Sequence, residues 1–545
     1  MRERDSDSTA ATDKSLVLSD LTIRAGDRCL LDGVDATFPG SKITVIVGGS
    51  GAGKSVLLRI LAGLLPPQGD AVHWTGTVAE TGAATDRPSV GIVFQQFALF
   101  DELSAAGNVQ FAIDHRRRPA DRSEVRPDED ADPRAAAEPP EEWNARQWLE
   151  HLGVPQNTPI TALSGGQKQR LAIARTLASS PDVLLYDEPT SGLDSATGRM
   201  VADLIRRTQS VHHRTSIVVT HDYETLLPIA DKVYLLDPSQ QKLVEIPEDQ
   251  WQALPDRMVP VAALRHDDSA PPPTTLRQRA GALVQHFFEG TGGAISAALQ
   301  LPRDLLPVVP RVRWAARFTL HYLRLVAGPS AWIYLILAGL IIGFTSTYFT
   351  FRFLPFRLYT QPLLIDELLA SIGFALYRIL VPILATILIA ARCGAAVAAD
   401  VGVKQYGGQI DAMRTLDVTP RAYLMLPIAI AFLVGTPILE WVAFEAARFI
   451  SMLAFSGSYP QIGPYFWDQH FERNLIDGSA WWFKGWAWVL LKNLTCGLGT
   501  AAIAYHQGLR PKHSASDVSA AITSTVLWTT LFVLVVHFAV ALMEF

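Results

Sequence analysis

A chain of 545 residues, 49% of them apolar and with a formal net charge of −6, has the average composition of an ordinary soluble multidomain protein. Its three cysteines, Cys29, Cys393 and Cys496, suggest no disulfide framework. The average conceals two unlike halves, because residues 1–280 carry 29 Lys/Arg against 39 Asp/Glu and residues 281–545 carry 18 against 14. An acidic, soluble part precedes a sparsely charged one.

In chain order, residues 1–15 are a polar tail read as disordered. MRERDSDSTAATDK lacks an apolar core, so no cleavable signal peptide is expected and internal segments must direct membrane insertion. The apolar run Ile43 to Val47 predicts a strand and Val56 to Leu65 a helix, with Gly48, Gly49, Ser50, Gly51, Ala52, Gly53, Lys54 and Ser55 between them. This fits the P-loop pattern G-x-x-x-x-G-K-S/T, in which a glycine loop and a helix N-terminus cradle phosphates with backbone N–H groups. Lys54 then reaches the β- and γ-phosphates, and the Ser55 hydroxyl sits on Mg²⁺. Further on, Asp182 to Glu188 is an apolar strand ending in two carboxylates. Asp187 holds Mg²⁺, and Glu188 polarises the attacking water. Ile217 to His221 is another apolar strand ending in a single polar group. A lone histidine there is usually structural, but its spacing after Glu188 and Asp194 favours a role beside them.

With these residues in place, 16–252 resembles an ABC-transporter ATPase domain, a P-loop α/β fold. Six motifs stand in the family's order: Walker A at 48–55, the Q-loop at Gln95, the signature Leu163-Ser164-Gly165-Gly166-Gln167, Walker B at 183–188, the D-loop ending at Asp194, and the switch His221. The resemblance implies that Gln95 also contacts the metal and that Ser164 to Gln167 and Asp194 belong to the nucleotide site. In this family the signature closes on the P-loop of another domain, which implies a homodimer with two composite ATP sites. Two features depart from the pattern. Where many members carry an adenine-stacking aromatic, this chain has Ile23 to Arg28, so Arg24 or Arg28 can stack by cation–π contact or form a solvated turn. A charged, proline-bearing stretch at 115–142 reads as a disordered insertion.

Residues 253–284 read as a linker around the Pro-rich run at 269–275. Beyond it, Leu301 to Leu325 mixes Arg303, Arg311, Arg313, Arg317 and Arg324 with apolar residues, as an amphipathic interfacial segment does. A bilayer crossing needs about 20 apolar residues. Five stretches qualify: Leu325 to Phe351, Leu368 to Ala391, Ala422 to Leu439, Gly485 to His506 and Val518 to Met543. Five crossings put Phe545 on the far side if the ATPase domain faces cytoplasmic ATP. Lys404 to Leu416, between the second and third spans, can dock beside Gln95 as a helix or serve as a mere loop. Glu440, Glu445, Arg448 and Arg378 are expensive in hydrocarbon, so they pair structurally or meet a lipid head group, and Glu445 and Arg448 can pair at i and i+3. Aromatics crowd the far-side loop 456–484, as at a membrane interface or a partner seat.

The stretches Tyr377 to Pro382, Ala391 to Gly402 and Gln409 to Pro420 resemble the MlaE-type permeases of MCE-associated lipid transporters. The likeness covers 285–545, an all-α transmembrane domain, with Gly408 where the family has an acid and Arg378-Ile-Leu-Val-Pro382 for its Arg-Glu-Leu-Gly-Pro run. It implies a fused ATPase–permease of the bacterial inner membrane that uses ATP and Mg²⁺ to move a lipid, a phospholipid first, to or from a separate periplasmic MCE-domain protein. No nucleic-acid partner is expected. The alternative is a half-transporter exporting drugs or other hydrophobic molecules, although such exporters usually have six spans. An ATP-binding anchor without turnover is disfavoured by the presence of Lys54, Glu188 and His221.

Overall fold

The computed structural model describes residues 15–26, 28–49, 51–69, 72–81, 89–116, 143–156, 158–192, 194–212, 214–254, 311–353, 357–476, 482–512 and 514–545. Ser50, Trp481, the tail 1–14, most of the 115–142 insertion, nearly all of the 253–284 linker and the start of the amphipathic segment lie outside them. The described residues make two compact units: 15–254 together with 407–418, and 311–406 together with 419–545.

The first unit is α/β. A three-stranded antiparallel sheet, β2-β1-β4, joins β1 (Leu16–Ala25), β2 (Arg28–Phe38) and β4 (Val72–Glu80). A six-stranded sheet has the order β5-β6-β7-β3-β8-β9. Its strands are β3 (Ile43–Val47), β5 (Val90–Val93), β6 (Val183–Asp187), β7 (Thr215–Thr220), β8 (Lys232–Asp237) and β9 (Lys242–Glu245), all parallel except β9. Strands β3, β6 and β7 are buried along their whole length, as expected of a parallel sheet covered on both faces, and this is why they read as unbroken apolar runs. Their register pairs Val47 with Thr220 and Asp187 with Val219. The residues following Val47, Asp187 and Thr220 therefore emerge side by side at the carboxyl edge, where open α/β sheets bind ligands. Helices α1 (Lys54–Leu61), α2 (Ala105–Asp114), α3 (Ala145–His151), α4 (Gly165–Ala178) and α5 (Ser195–His212) complete the framework. Helix α1 is shorter than its apolar pattern suggested, because Gly63 turns left-handed at φ 69° directly after it and Pro66 and Pro67 cannot continue it.

The second unit is helical and holds five stretches long and apolar enough to cross a membrane: Val312–Arg352, Leu364–Tyr406, Arg421–Ser458, Trp486–Leu509 and Ala515–Glu544. The described part of the amphipathic segment is the helix Val312–Val326, which buries Trp314, Phe318, Tyr322 and Val326 at four-residue spacing. Arg311 just before it, with Arg313, Arg317 and Arg324 along it, stays at least partly exposed. Pro329–Arg352 packs on Leu426–Ser458 through Gly339 and Gly343. A Cβ at either glycine would collide with the carbonyl of Ala443 or Ala447, so the small residues admit close backbone approach. Thr347, one turn on, donates to Ser451 at 2.7 Å.

Two expectations change. The third span does not stop before Glu440. Leu426–Ser458 is one helix of 33 residues, about 50 Å long at 1.5 Å per residue against a hydrocarbon core of about 30 Å. It continues because Ala443, Phe444, Ala447, Ser451 and Phe455 keep an apolar stripe buried past the charges. The aromatic stretch 456–484 is not simply a loop. It contains the helix Gly463–Phe471, with Trp467 and Phe471 buried and Phe483 packed against Tyr377, Trp441 and Phe444, while Tyr465 and Trp482 remain exposed.

Candidate functional site

The carboxyl edge of the large sheet opens into a cleft of about 800 Å³ lined by Lys54, Ser55, Gln95, Glu188 and His221 together with Gly49, Gly51 and Gly53. The glycine loop builds its floor. Gly51 and Gly53 adopt φ of 77° and 102°, values that L side chains rarely reach, and Gly53 is the N-cap of α1. The loop thus curls back over the helix N-terminus, where N–H groups and dipole favour an anion. Lys54 is buried, and its Nζ donates to the carbonyls of Gly48 at 2.8 Å and Gly49 at 3.0 Å and lies 3.5 Å from Glu188 Oε1.

Ser55 Oγ donates to Asp187 Oδ1 at 3.1 Å. Burial pushes the Asp187 carboxyl above its ordinary pKa; the Ser55 bond pulls the other way, and neighbouring Glu188 raises it further. A buried carboxylate and a hydroxyl at this separation are hard oxygen donors suited to Mg²⁺. Glu188 follows strand β6 with a left-handed φ of 51°, uncommon for a residue with a side chain, and its N–H is pinned to the Val219 carbonyl at 2.8 Å. That turn directs its carboxylate between Lys54 and His221, whose Nδ1 contacts Glu188 Oε2. Gln95 Nε2 reaches Ser191 Oγ at 3.3 Å. Arg28 lines the cleft with Ala25 and Leu30, whereas Arg24 is exposed and is not among the lining residues.

The signature residues are elsewhere. Ser164 caps α4 in a capping box with Gln167: its Oγ accepts from Gln167 N at 3.3 Å, and Gln167 Oε1 accepts from Ser164 N at 2.9 Å. Ser164 and Gly165 are exposed at the helix N-terminus, and Gly166 lines a separate hollow of about 350 Å³. Asp194 accepts from Thr197 N at 3.1 Å and Thr197 Oγ1 at 2.7 Å, bonds that hold its carboxyl below the ordinary range. Within one chain the structure therefore brings Lys54, Ser55, Gln95, Asp187, Glu188 and His221 together and leaves Ser164 to Gln167 and Asp194 outside the cleft.

Residues 407–418 pack in this unit although they lie between two long apolar segments in the chain. The short helix Gln409–Thr415 packs by β5. Gly408, at φ 71°, faces the Phe94 ring and Ala98, and Gln409 Nε2 donates to Asp101 Oδ2 at 3.2 Å. Lys404 to Tyr406 are not part of this helix; they end the preceding one, Ala395–Tyr406. Two residues that the motifs do not mark complete the arrangement. Asp101 receives Gln409, and Arg175, near the end of α4, donates to the Ala98 carbonyl and to Phe97 O at 3.4 Å. Burial brings the Arg175 guanidinium down to about 10. Phe97 and Ala98 both have left-handed φ, 64° and 49°, a turn whose carbonyls need the donors that Arg175 supplies. A buried cation in an amphipathic helix was the available signal for Arg175. Asp101 had none.

In the helical unit Arg378 and Lys492 share one carboxylate. Arg378 Nε donates to Glu544 Oε1 at 2.6 Å, and Lys492 Nζ contacts Glu544 Oε2 and donates to the Arg378 carbonyl at 3.0 Å. The open choice for Arg378 thus resolves to pairing. Glu445 and Arg448 pair at 3.3 Å as their spacing suggests, with Glu472 joining at 2.7 Å.

Residues 31–191 match the family "ABC transporter", and residues 320–543 match the family "Permease MlaE". Among curated relatives, the sulfate/thiosulfate import ATP-binding protein CysA of Mycobacterium tuberculosis strain H37Rv is 35% identical over 244 residues, 44% of this chain and 63% of the relative. Its namesake from Ralstonia nicotianae is 37% identical over 234 residues, 43% of this chain and 59% of the relative. The chain thus spans less than two thirds of the length of these relatives. Among solved structures, cbiO1 from Clostridium perfringens, described as part of an ABC transporter complex, aligns at 25% identity and TM-score 0.35, covering 47% of this chain and 96% of that one.

Proposed function

We propose, from the premise that this chain carries an ABC transporter ATPase domain followed by an MlaE-family permease domain, that it hydrolyses ATP to drive a lipid, a phospholipid first, across or out of the bacterial inner membrane. The observation that carries this reading is the cluster Lys54, Glu188 and His221 in one cleft, in a chain that continues into five membrane-length helices. Lys54 and the glycine-loop N–H groups bind the phosphates. Glu188 orients a water and takes its proton, and His221 holds the Glu188 carboxylate in place. Mg²⁺, when bound at Ser55, Asp187 and Gln95, neutralises phosphate charge.

The signature residues complete the site of a second copy, giving a homodimer with two composite sites. Support comes from the exposed N-terminus of α4, which suits an anion yet stands outside its own chain's cleft. Residues 407–418 give closure of the nucleotide domains a direct grip on the spans they connect. Sulfate is not carried over as cargo, because the two curated relatives described above match only 44% and 43% of the chain, a stretch the size of the ATPase domain. The cargo reading rests on the permease resemblance, with a separate MCE-domain protein as acceptor or donor.

The test is gentle purification of the full chain, mass spectrometry of what co-purifies, and ATPase assays in detergent with and without added phospholipid. Bound phospholipid and stimulated turnover are expected. A lipid-free protein whose turnover ignores phospholipid would sink the cargo assignment.

A further inference from the structure

Two of the buried charges in the helical unit, Arg378 and Lys492, are held by Glu544. Among the described residues Glu440 has no such partner. It is 3% exposed, midway along Leu426–Ser458, and its one hydrogen bond comes from Asn493 Nδ2 to Oε2 at 3.3 Å. Its other oxygen, Oε1, has no protein partner among the described residues, and neither do Asn493 Oδ1 and Thr436 Oγ1. Thr436 and Glu440 stand one turn apart on one helix, and Asn493 and Gly497 one turn apart on Trp486–Leu509. A Cβ at Gly497 would lie 2.9 Å from Thr436 Oγ1, so these two stripes face each other. Pro437, inside the helix, leaves the carbonyl of Leu433 without its usual donor, and by its seven-residue spacing Leu433 belongs to the same stripe.

The surrounding charges are committed elsewhere. Lys492 and Arg378 point to Glu544. Arg448, on the same helix, pairs with Glu445 and Glu472. His321 of Val312–Val326 lies against Asp400, and His470 of Gly463–Phe471 against the Phe466 carbonyl. Asp468 of that helix sits near Glu472. Pro329–Arg352 carries no charge before its last residue, and Val381–Ile389 carries none. Tyr377 lies near enough to Glu440 to interact with it electrostatically.

A carboxylate left alone in an apolar bundle is costly unless something positive joins it. One carboxylate, one amide oxygen and one hydroxyl provide hard oxygen donors with a single negative charge. That set matches a singly charged ion; Mg²⁺ sheds water reluctantly and Ca²⁺ wants six or more oxygens. We propose that Glu440, Asn493 and Thr436 form a site for one dehydrated monovalent cation, a proton or Na⁺, inside the helical unit. The inference stands on this unit alone and holds whatever the permease carries.

Infrared difference spectroscopy of the full chain in nanodiscs tests it, with one pair of samples at acidic and alkaline pH without Na⁺ and another at fixed pH with Na⁺ or N-methylglucamine. A carboxyl band that is present in the wild type and absent from Glu440→Gln is expected. Its appearance in the first pair only identifies a proton, and in the second pair identifies Na⁺. Identical difference spectra from wild type and Glu440→Gln in both pairs would overturn the proposal. If Glu440→Gln does not fold, Thr436→Val keeps the carboxyl and removes one neutral oxygen, which should shift the midpoint of the band's titration roughly 3–10-fold in cation concentration. An unmoved midpoint overturns it equally.

Discussion

The cleft at the sheet edge and the interior of the helical unit contain the same device in different settings. In the cleft Glu188 stands between Lys54 and His221; in the helices Glu544 stands between Lys492 and Arg378. Glu188 is 12% exposed and its His221 partner 54%, whereas the Glu544 side chain is 0% exposed. The difference separates chemistry from construction. Charges bordering an open hollow can exchange partners with a ligand. Charges sealed among helices tie three chain segments, around 378, 492 and 544, into one bundle.

The largest effect should come from Glu188→Gln. Phosphate release should fall by about 10²-fold or more while ATP still binds, since removing a general base costs about that much; wild-type turnover would remove Glu188 from that role. Glu544→Gln is the counterpart in the helices. It leaves two buried cations short of a partner and should cost about 3–5 kcal/mol, read as a lowered unfolding midpoint in nanodiscs with ATP binding intact. A stability unchanged by Glu544→Gln would erase the contrast between the two settings.

Arg175 sharpens the comparison, because it is a buried cation served by carbonyls rather than a carboxylate. Arg175→Met should cost about 1–3 kcal/mol by leaving the Phe97 and Ala98 carbonyls without donors. Limited proteolysis near residue 97 should accelerate. The smallest effect concerns an exposed group, Asp194. Thr197 bonds hold its carboxyl low, so its folded-state pKa lies below the unfolded one. Its contribution to stability is present above the ordinary carboxylate range and is lost as pH falls through the lowered value. Thr197→Val removes the hydroxyl bond, and an NMR titration should find Asp194 protonating at higher pH than in the wild type.

The residues gathered in the cleft were legible because they are attached to backbone features that sequence encodes locally, whereas Ser164 to Gln167 and Asp194 lie outside it. A fully apolar run such as Val183 to Tyr186 is a buried strand, and the polar residues at its end must emerge at the sheet edge, so Asp187, Glu188 and His221 could be placed before any contact was known. Glycines at 51 and 53 likewise announce the left-handed turn they make. The helical unit gave up its span count in the same way, since length and hydropathy are local. It did not give up its pairings. Glu544 sits one residue past an uncharged stretch and looks like a frayed end, yet it binds Arg378 across 166 residues of sequence. Glu440 resembled the end of a span because charge commonly ends one; the apolar stripe beyond it kept the helix going.

Sequence alone thus determined the α/β ATPase fold, through the motif order and the resemblance it carries, the gathering of Lys54, Ser55, Asp187, Glu188 and His221 at one sheet edge, and the number of membrane-length helices among the described residues, through length and hydropathy. Tertiary structure alone decided that 407–418 packs with the first unit, that Arg175 and Asp101 support that contact, and which buried charges have partners. The physical reason is range. A hydrophobic pattern states which face of an element is buried, while a buried charge is satisfied or stranded according to a neighbour that chain order does not name.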